Sequence, residues 1–138
     1  MTLDDLFDRY PDAEVFSFGE TAAECADMLA RVRAGAKTAT FGAMRDYLDG
    51  DDPMPEVGRI DIVLDWDGNP ALVLETTEVK LRRFADVDAA FVSAEGEAIS
   101  LADWAARHRA HFEAHGGWSP NMELVCERFR VIADFAVR

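Results

Sequence analysis

Positive charge is what this sequence is short of. Fourteen Lys and Arg stand against twenty-seven Asp and Glu, which leaves a formal net charge of −13. Such a surface repels phosphate backbones at long range, so sequence-blind binding to long nucleic acid is disfavoured, while a local site for a short or neutral ligand stays open. Cysteine is scarce too. Cys25 and Cys126 lie far apart, without CxxC spacing and without further Cys to complete a zinc site. Both are expected as small core residues, with no disulfide in a reducing compartment. No apolar run approaches the ~20 residues that span a bilayer. The acidic opening Met1-Thr2-Leu3-Asp4-Asp5 lacks the basic and apolar stretches of a signal peptide, so a cytoplasmic protein without a membrane partner is expected. Missing as well are a Gly-rich phosphate loop, HExxH, GxSxG and a dinucleotide fingerprint, and with them the enzyme classes that those motifs mark.

What is present is an ordinary globular composition, 49% hydrophobic and 30% charged over 138 residues. Residues 1–138 read as one domain, with no repeat and no linker. Leu3, Leu6, Phe7 and Tyr10 predict a short opening helix before Pro11. Thr21-Ala22-Ala23-Glu24 has the form of a capping box and predicts a helix from Ala22 to Ala34, closed by Gly35. Lys37 to Phe41 follows as a short β run, and Gly42 to Glu56 reads as a long, acidic, partly mobile loop.

The period then changes. Ile60, Ile62, Leu64 and Trp66 alternate with Asp61, Val63 and Asp65, the pattern of a strand with one buried face. Asp67-Gly68-Asn69 is a turn, and Ala71 to Leu81 returns as a longer strand. Asp86 to Phe91 reads as a helical turn. Ser100, with Asp103 three residues on, caps a helix that Gly116-Gly117 ends, and Met122 to Phe135 is a final strand. Strands and helices mix without βαβ alternation. The class is therefore α+β, with a mainly antiparallel sheet or small barrel.

Candidate chemistry sits in few places. Lys37 follows a helix end in a turn, from which its ammonium can curl toward the Thr40 hydroxyl as a nucleophile–base pair. The alternative is a surface lysine with threonines chosen for β propensity. Glu95-Gly96-Glu97 allows one carboxylate to turn inward while the other faces water. A carboxylate near Lys37 would hold it protonated, so either burial wins and Lys37 takes the proton, or Glu97 does the proton transfer and Lys37 stabilises developing negative charge. An acidic loop capping a helix is the plainer reading. His108, His111 and His115 share one side of a helix, but His108 continues the stripe of Leu101, Trp104 and Ala105, so no metal site is assigned. Arg128 and Arg130 share a strand face and suit a phosphate or a base, or else simply answer an acidic surface.

In order along the chain, these segments resemble the ASCH-domain family. The likeness rests on Phe18-Gly19-Glu20, on Gly35-x-Lys37-Thr38-Ala39-Thr40, and on Pro55-x-Val57-Gly58 before a strand ending at Asp67-Gly68-x-Pro70. Glu75-Thr76-Thr77-Glu78-Val79, Glu95-Gly96-Glu97 through Ser100-Leu101-Ala102-x-Trp104 to His108, and Cys126-Glu127-Arg128-Phe129 complete it. The resemblance implies a PUA-like fold, a small antiparallel β-barrel with flanking helices. It also implies a role in RNA or nucleoside metabolism, as an RNA-binding module, a ribonuclease, or a small amidohydrolase that removes the acetyl group of N4-acetylcytidine. That last branch uses a Lys–Thr pair and a glutamate, which carry over as Lys37, Thr40 and Glu97. Arg45, Tyr47, Glu75 and Arg128 are the matching candidates for contact with a modified nucleoside or short RNA. Such a scheme needs no metal or organic cofactor. The family form Glu-Gly-Glu-Gly-Asp reads Glu95-Gly96-Glu97-Ala98-Ile99 here, without the Asp.

Overall fold

Two long antiparallel strands frame the molecule, which a computed structural model describes over residues 1–50 and 53–135. These strands, β4 (Pro70–Arg83) and β5 (Glu123–Asp134), pair from Leu72↔Asp134 to Arg83↔Glu123. β3 (Ile60–Leu64) joins β4 through the Asp67-Gly68-Asn69 turn, where Asp65 Oδ1 accepts from the amides of Asp67 and Asn69. β2 (Ala39–Ala43) pairs antiparallel with β5, and β1 (Glu14–Ser17) runs parallel to β3. The strand order is β1-β3-β4-β5-β2. Register shifts at Val63/Leu64, Val73/Leu74 and Thr76/Glu78 add the local twist that curls such a ladder. The result is the expected α+β class with a mainly antiparallel sheet, in the form of a curled half-barrel.

Helices α1 (Leu3–Arg9), α2 (Ala22–Arg33), α3 (Met44–Asp49), α4 (Ala89–Glu95) and α5 (Leu101–Ala114) surround the sheet. Cys25, Leu29 and Val32 of α2 pack on one face, against Val63, Leu72, Leu74 and Phe129. On the other face Leu6 of α1 meets Ile62 and Val73, and α4 and α5 bring Phe91, Val92 and Trp104 onto Ala39, Leu124 and Cys126. Both cysteines are buried and free, as expected. No helix among the described residues is long and apolar enough to cross a membrane.

Two expectations change. The segment Gly42 to Glu56 is not one loop: β2 extends to Ala43 and α3 follows it directly, so the acidic residues Asp46 and Asp49 belong to a short helix. Asp51 and Asp52 of that segment lie outside the described residues. The second change concerns β3. Its alternation predicted one buried face, yet Asp61, Ile62 and Val63 are all buried, because helices cover the sheet on both sides here. Asp61 is tolerated inside because Arg59 donates to Oδ2 from Nε and Nη2, each at 3.2 Å. Trp66 lies past the strand end and is exposed.

The turn between α2 and β2 is pinned from several sides. Thr21 Oγ1 accepts from the Glu24 amide, and Glu24 reaches back to the Glu20 amide, one residue before the partner a capping box would use. At the other end Gly35 takes φ +77°, and the amides of Ala36 and Lys37 both donate to the Arg31 carbonyl. Arg31 itself donates to the Gly96 carbonyl at 2.7 Å, and the Thr38 amide to the Ala94 carbonyl at 2.6 Å. The α2–β2 turn and the end of α4 are thus tied face to face. Gly96 makes this possible: it sits at φ +75°, and a Cβ there would lie 2.1 Å from the Ala36 carbonyl oxygen.

That close approach predicts an asymmetry between two glycines. Gly35→Ala meets open space and is expected to cost about 1–2 kcal/mol for its left-handed backbone alone. Gly96→Ala adds a backbone clash and should cost more than ~3 kcal/mol. Urea unfolding of both variants checks this, and equal losses would contradict the packing described.

Candidate functional site

The curl of the sheet leaves β1 and β2 as its two edges, and both edges line one cleft of about 460 Å³. Phe16 to Gly19 form one wall, Lys37 and Thr40 to Ala43 another, and Glu95, Glu97, His108 and Phe112 close it from the α4–α5 side. This volume lies within the range of small-molecule sites.

Lys37 stands at the centre and is 2% exposed. Its Nζ donates to the Ala39 carbonyl at 2.9 Å, the Glu95 carbonyl at 3.1 Å and Glu97 Oε2 at 2.6 Å. An ammonium has three N–H donors, and here each meets an acceptor. Two of these are carbonyl oxygens with no proton to give back, so Lys37 must donate to both. The third hydrogen lies on the short line to Glu97, and the pair reads as ammonium and carboxylate.

Thr40 reaches the cleft from β2, and its hydroxyl makes no hydrogen bond with any described residue. Its own strand supplies more than the side chain. The Phe129 amide donates to the Thr38 carbonyl at 3.0 Å, which puts Thr38, Thr40 and Gly42 in the hydrogen-bonded pairs with β5. The peptide groups of Ala39, Phe41 and Ala43 therefore point to the free edge of β2. The Ala39 carbonyl on that edge is taken by Lys37, and the Phe41 N–H and C=O stand beside it.

Burial sets the protonation of two further groups. Glu95 is 3% exposed, and its carboxyl is pushed up to about 7, chiefly by desolvation; Lys37 opposes the shift and the Glu97 carboxylate adds to it. His108 sits between the rings of Phe41 and Trp104, at 4.8 and 5.0 Å, and desolvation pushes it down to about 4. It is a neutral imidazole at pH 7.

Of the residues singled out from the sequence, Lys37, Thr40 and Glu97 come together in this cleft. The Lys37 ammonium is engaged by Ala39, Glu95 and Glu97 rather than by the Thr40 hydroxyl. Arg45 and Tyr47 sit on α3 and not on a loop, and neither lines the cleft, although Asp46 between them does. Arg45 donates to the His115 carbonyl and covers the Phe112 ring, while Tyr47 packs over Gly42. Glu75 and Arg128 are elsewhere on the sheet, paired with Arg130 at 2.7 Å and Glu78 at 3.5 Å. Glu95 is the residue that sequence reasoning passed over. Its signal was the repeated carboxylate across Gly96, but spacing could not say which one turns inward.

His111 and His115 stack at 4.4 Å, and His115 Nδ1 is 2.8 Å from the His111 carbonyl oxygen. No group of three or more His, Cys, Asp or Glu able to hold a metal occurs among the described residues.

A protein-family model described as an ASCH domain matches residues 14–133. The structure is similar to the crystal structure of an ASCH domain from Lactobacillus crispatus JV V101, with TM-score 0.78 and 28% identity over 92% of this chain and 84% of that one. It is also similar to protein EF3133 from Enterococcus faecalis V583, with TM-score 0.80 and 27% identity over 94% of this chain and 84% of that one. No curated protein matches the sequence.

The state of Glu95 has a thermodynamic consequence. Its carboxyl lies near 7 in the fold against an ordinary 4.5, so its contribution to stability is full below about pH 4.5 and is lost as the pH rises through 7. Glu95→Gln keeps the neutral shape at every pH. It should be more stable than the wild type at pH 8, by on the order of 2–3 kcal/mol, with the gap closing at pH 4.5. Urea titrations at the two pH values measure the difference, and a gap independent of pH would contradict the assignment.

Proposed function

The chain belongs to the ASCH-domain family, and from that premise we propose that it is a small hydrolase acting on a modified pyrimidine nucleoside of the N4-acetylcytidine type. The observation that carries this reading is the buried Lys37–Glu97 pair at 2.6 Å, in one cleft with the unengaged hydroxyl of Thr40. In the proposed reaction Thr40 Oγ attacks the acyl carbonyl and Glu97 accepts its proton. Once that proton neutralises Glu97, the N–H that Lys37 gave to it is released, and this ammonium with the free-edge N–H of Phe41 steadies the negative charge that develops on the carbonyl oxygen. The C–N bond then breaks, the acyl group stays on Thr40, and water releases it as the acid.

Charge favours a nucleoside over a polyanion. Among the described residues Lys37 is the one Lys or Arg lining the cleft, and it already faces Glu97. Outside the cleft Arg128, Arg130, Arg82 and Arg83 are each paired with a carboxylate. A phosphate chain would have to break those pairs against a net charge of −13.

Purified protein incubated with N4-acetylcytidine should release cytidine, followed by chromatography. Lys37→Ala and Thr40→Ala should each lower kcat/KM at least ~10²-fold. Release should hardly change between about 50 and 500 mM salt, because no counterions are displaced. Equal release by both variants, or none by the wild type, would overturn the proposal.

A further inference from the structure

Breaking an amide needs a proton on the leaving nitrogen as well as a base for the nucleophile, and the cleft holds a second carboxyl that the scheme above leaves unused. Glu95 ends α4 and Gly96 turns the chain at φ +75°, so that the Glu97 amide donates back to Glu95 Oε2 at 3.1 Å. Glu95 is 3% exposed, and among the described residues its carboxyl makes no ion pair with a Lys or Arg: Oε2 takes the Glu97 amide and Oε1 faces His108. The surroundings of the two side chains differ. Glu97 has the Lys37 ammonium at 2.6 Å, whereas the ring facing Glu95 Oε1 is the neutral imidazole of His108, with Nε2 3.9 Å away. Arg31 and Arg107 give their guanidinium hydrogens to the backbone carbonyls of Gly96 and Glu97, and His111 stands further along the cleft wall. Glu97 is therefore the member paired with a cation, and Glu95 the one that burial favours in its protonated form.

We propose that Glu95 is the acid that delivers the proton to the leaving nitrogen, while Glu97 holds the one taken from Thr40. This assignment rests on the hydrolase reading. One proton is shared by the two carboxyls throughout. In acylation the Thr40 proton goes to Glu97, the O–C bond forms, the C–N bond breaks and the Glu95 proton goes to nitrogen. In deacylation Glu95 takes a proton from the attacking water and Glu97 returns its own to Thr40 Oγ. The sum is amide plus water giving amine plus carboxylic acid, with both carboxyls restored.

The test compares two substrates that differ in their need for an acid: N4-acetylcytidine, whose amine must be protonated, and p-nitrophenyl acetate, whose phenolate leaves without a proton. Glu95→Gln should lower kcat/KM for the nucleoside about 10²–10⁴-fold and leave the nitrophenolate burst, which reports acylation of Thr40 by the ester, within about threefold. Equal losses on both substrates, or no loss on either, would overturn the assignment. In the wild type the ratio of nucleoside to ester rates should fall about tenfold per pH unit above 7, the titration range of Glu95. A constant ratio across that range overturns the assignment without any variant. A wild type that releases no cytidine marks the failure of the hydrolase reading and removes this assignment with it. An active wild type with an indifferent Glu95→Gln removes this assignment alone.

Discussion

A lysine ammonium buried among three acceptors is the constraint around which this molecule is arranged. Removing such a charge from water costs several kcal/mol, and the cost is offset only where every N–H finds a partner and a counter-charge is close. The partners of Lys37 come from two separate parts of the chain: Ala39 from the start of β2, and Glu95 and Glu97 from the end of α4 and the turn beyond it. Satisfying it therefore joins the α2–β2 turn to the α4–α5 turn, roughly sixty residues apart in sequence. The supporting contacts have the same purpose. Arg31 reaching Gly96, Thr38 reaching Ala94, and a glycine where a side chain would strike Ala36 all hold these two turns together.

The second carboxyl follows from this arrangement. With Lys37 paired to Glu97, desolvation of Glu95 outweighs the opposing pull of the Lys37 charge and the Glu97 amide. Two glutamates two residues apart thus meet opposite surroundings, one beside a cation and one beside a neutral ring. A site that must take a proton at one point and give one at another needs that division. The same economy of positive charge runs over the surface, where the arginines of β4 and β5 face carboxylates and leave little field to attract phosphate.

Much of this was legible along the chain. The Thr21 cap, the Gly35 stop, the turn at Gly68 and the Ser100 cap with its Gly116-Gly117 end are local events, and local patterns announced each of them. Lys37, Thr40 and Glu97 were legible as a set through family resemblance, because their motifs keep order and spacing. Less legible was α3, where acidic residues on a six-residue helix look like those of a loop. β3 misled because alternation assumes one wet face, and helices cover both. Arg45, Tyr47, Glu75 and Arg128 were reasonable donors and acceptors by type, but type does not say which partner a side chain will take. They are spent on His115, Gly42, Arg130 and Glu78.

By itself the sequence determined the elements whose causes lie within a few residues: caps, turns, the long strands and the acidic surface. Tertiary structure alone decided that the two edge strands curl to face one cleft, that Lys37 meets a carboxylate rather than the Thr40 hydroxyl, and that Glu95 rather than Glu97 turns inward. The reason is physical. Hydrogen-bonded caps and turns depend on neighbours three or four residues away, whereas desolvation and charge pairing depend on whatever the fold brings within a few ångströms, and along the chain those neighbours are far apart.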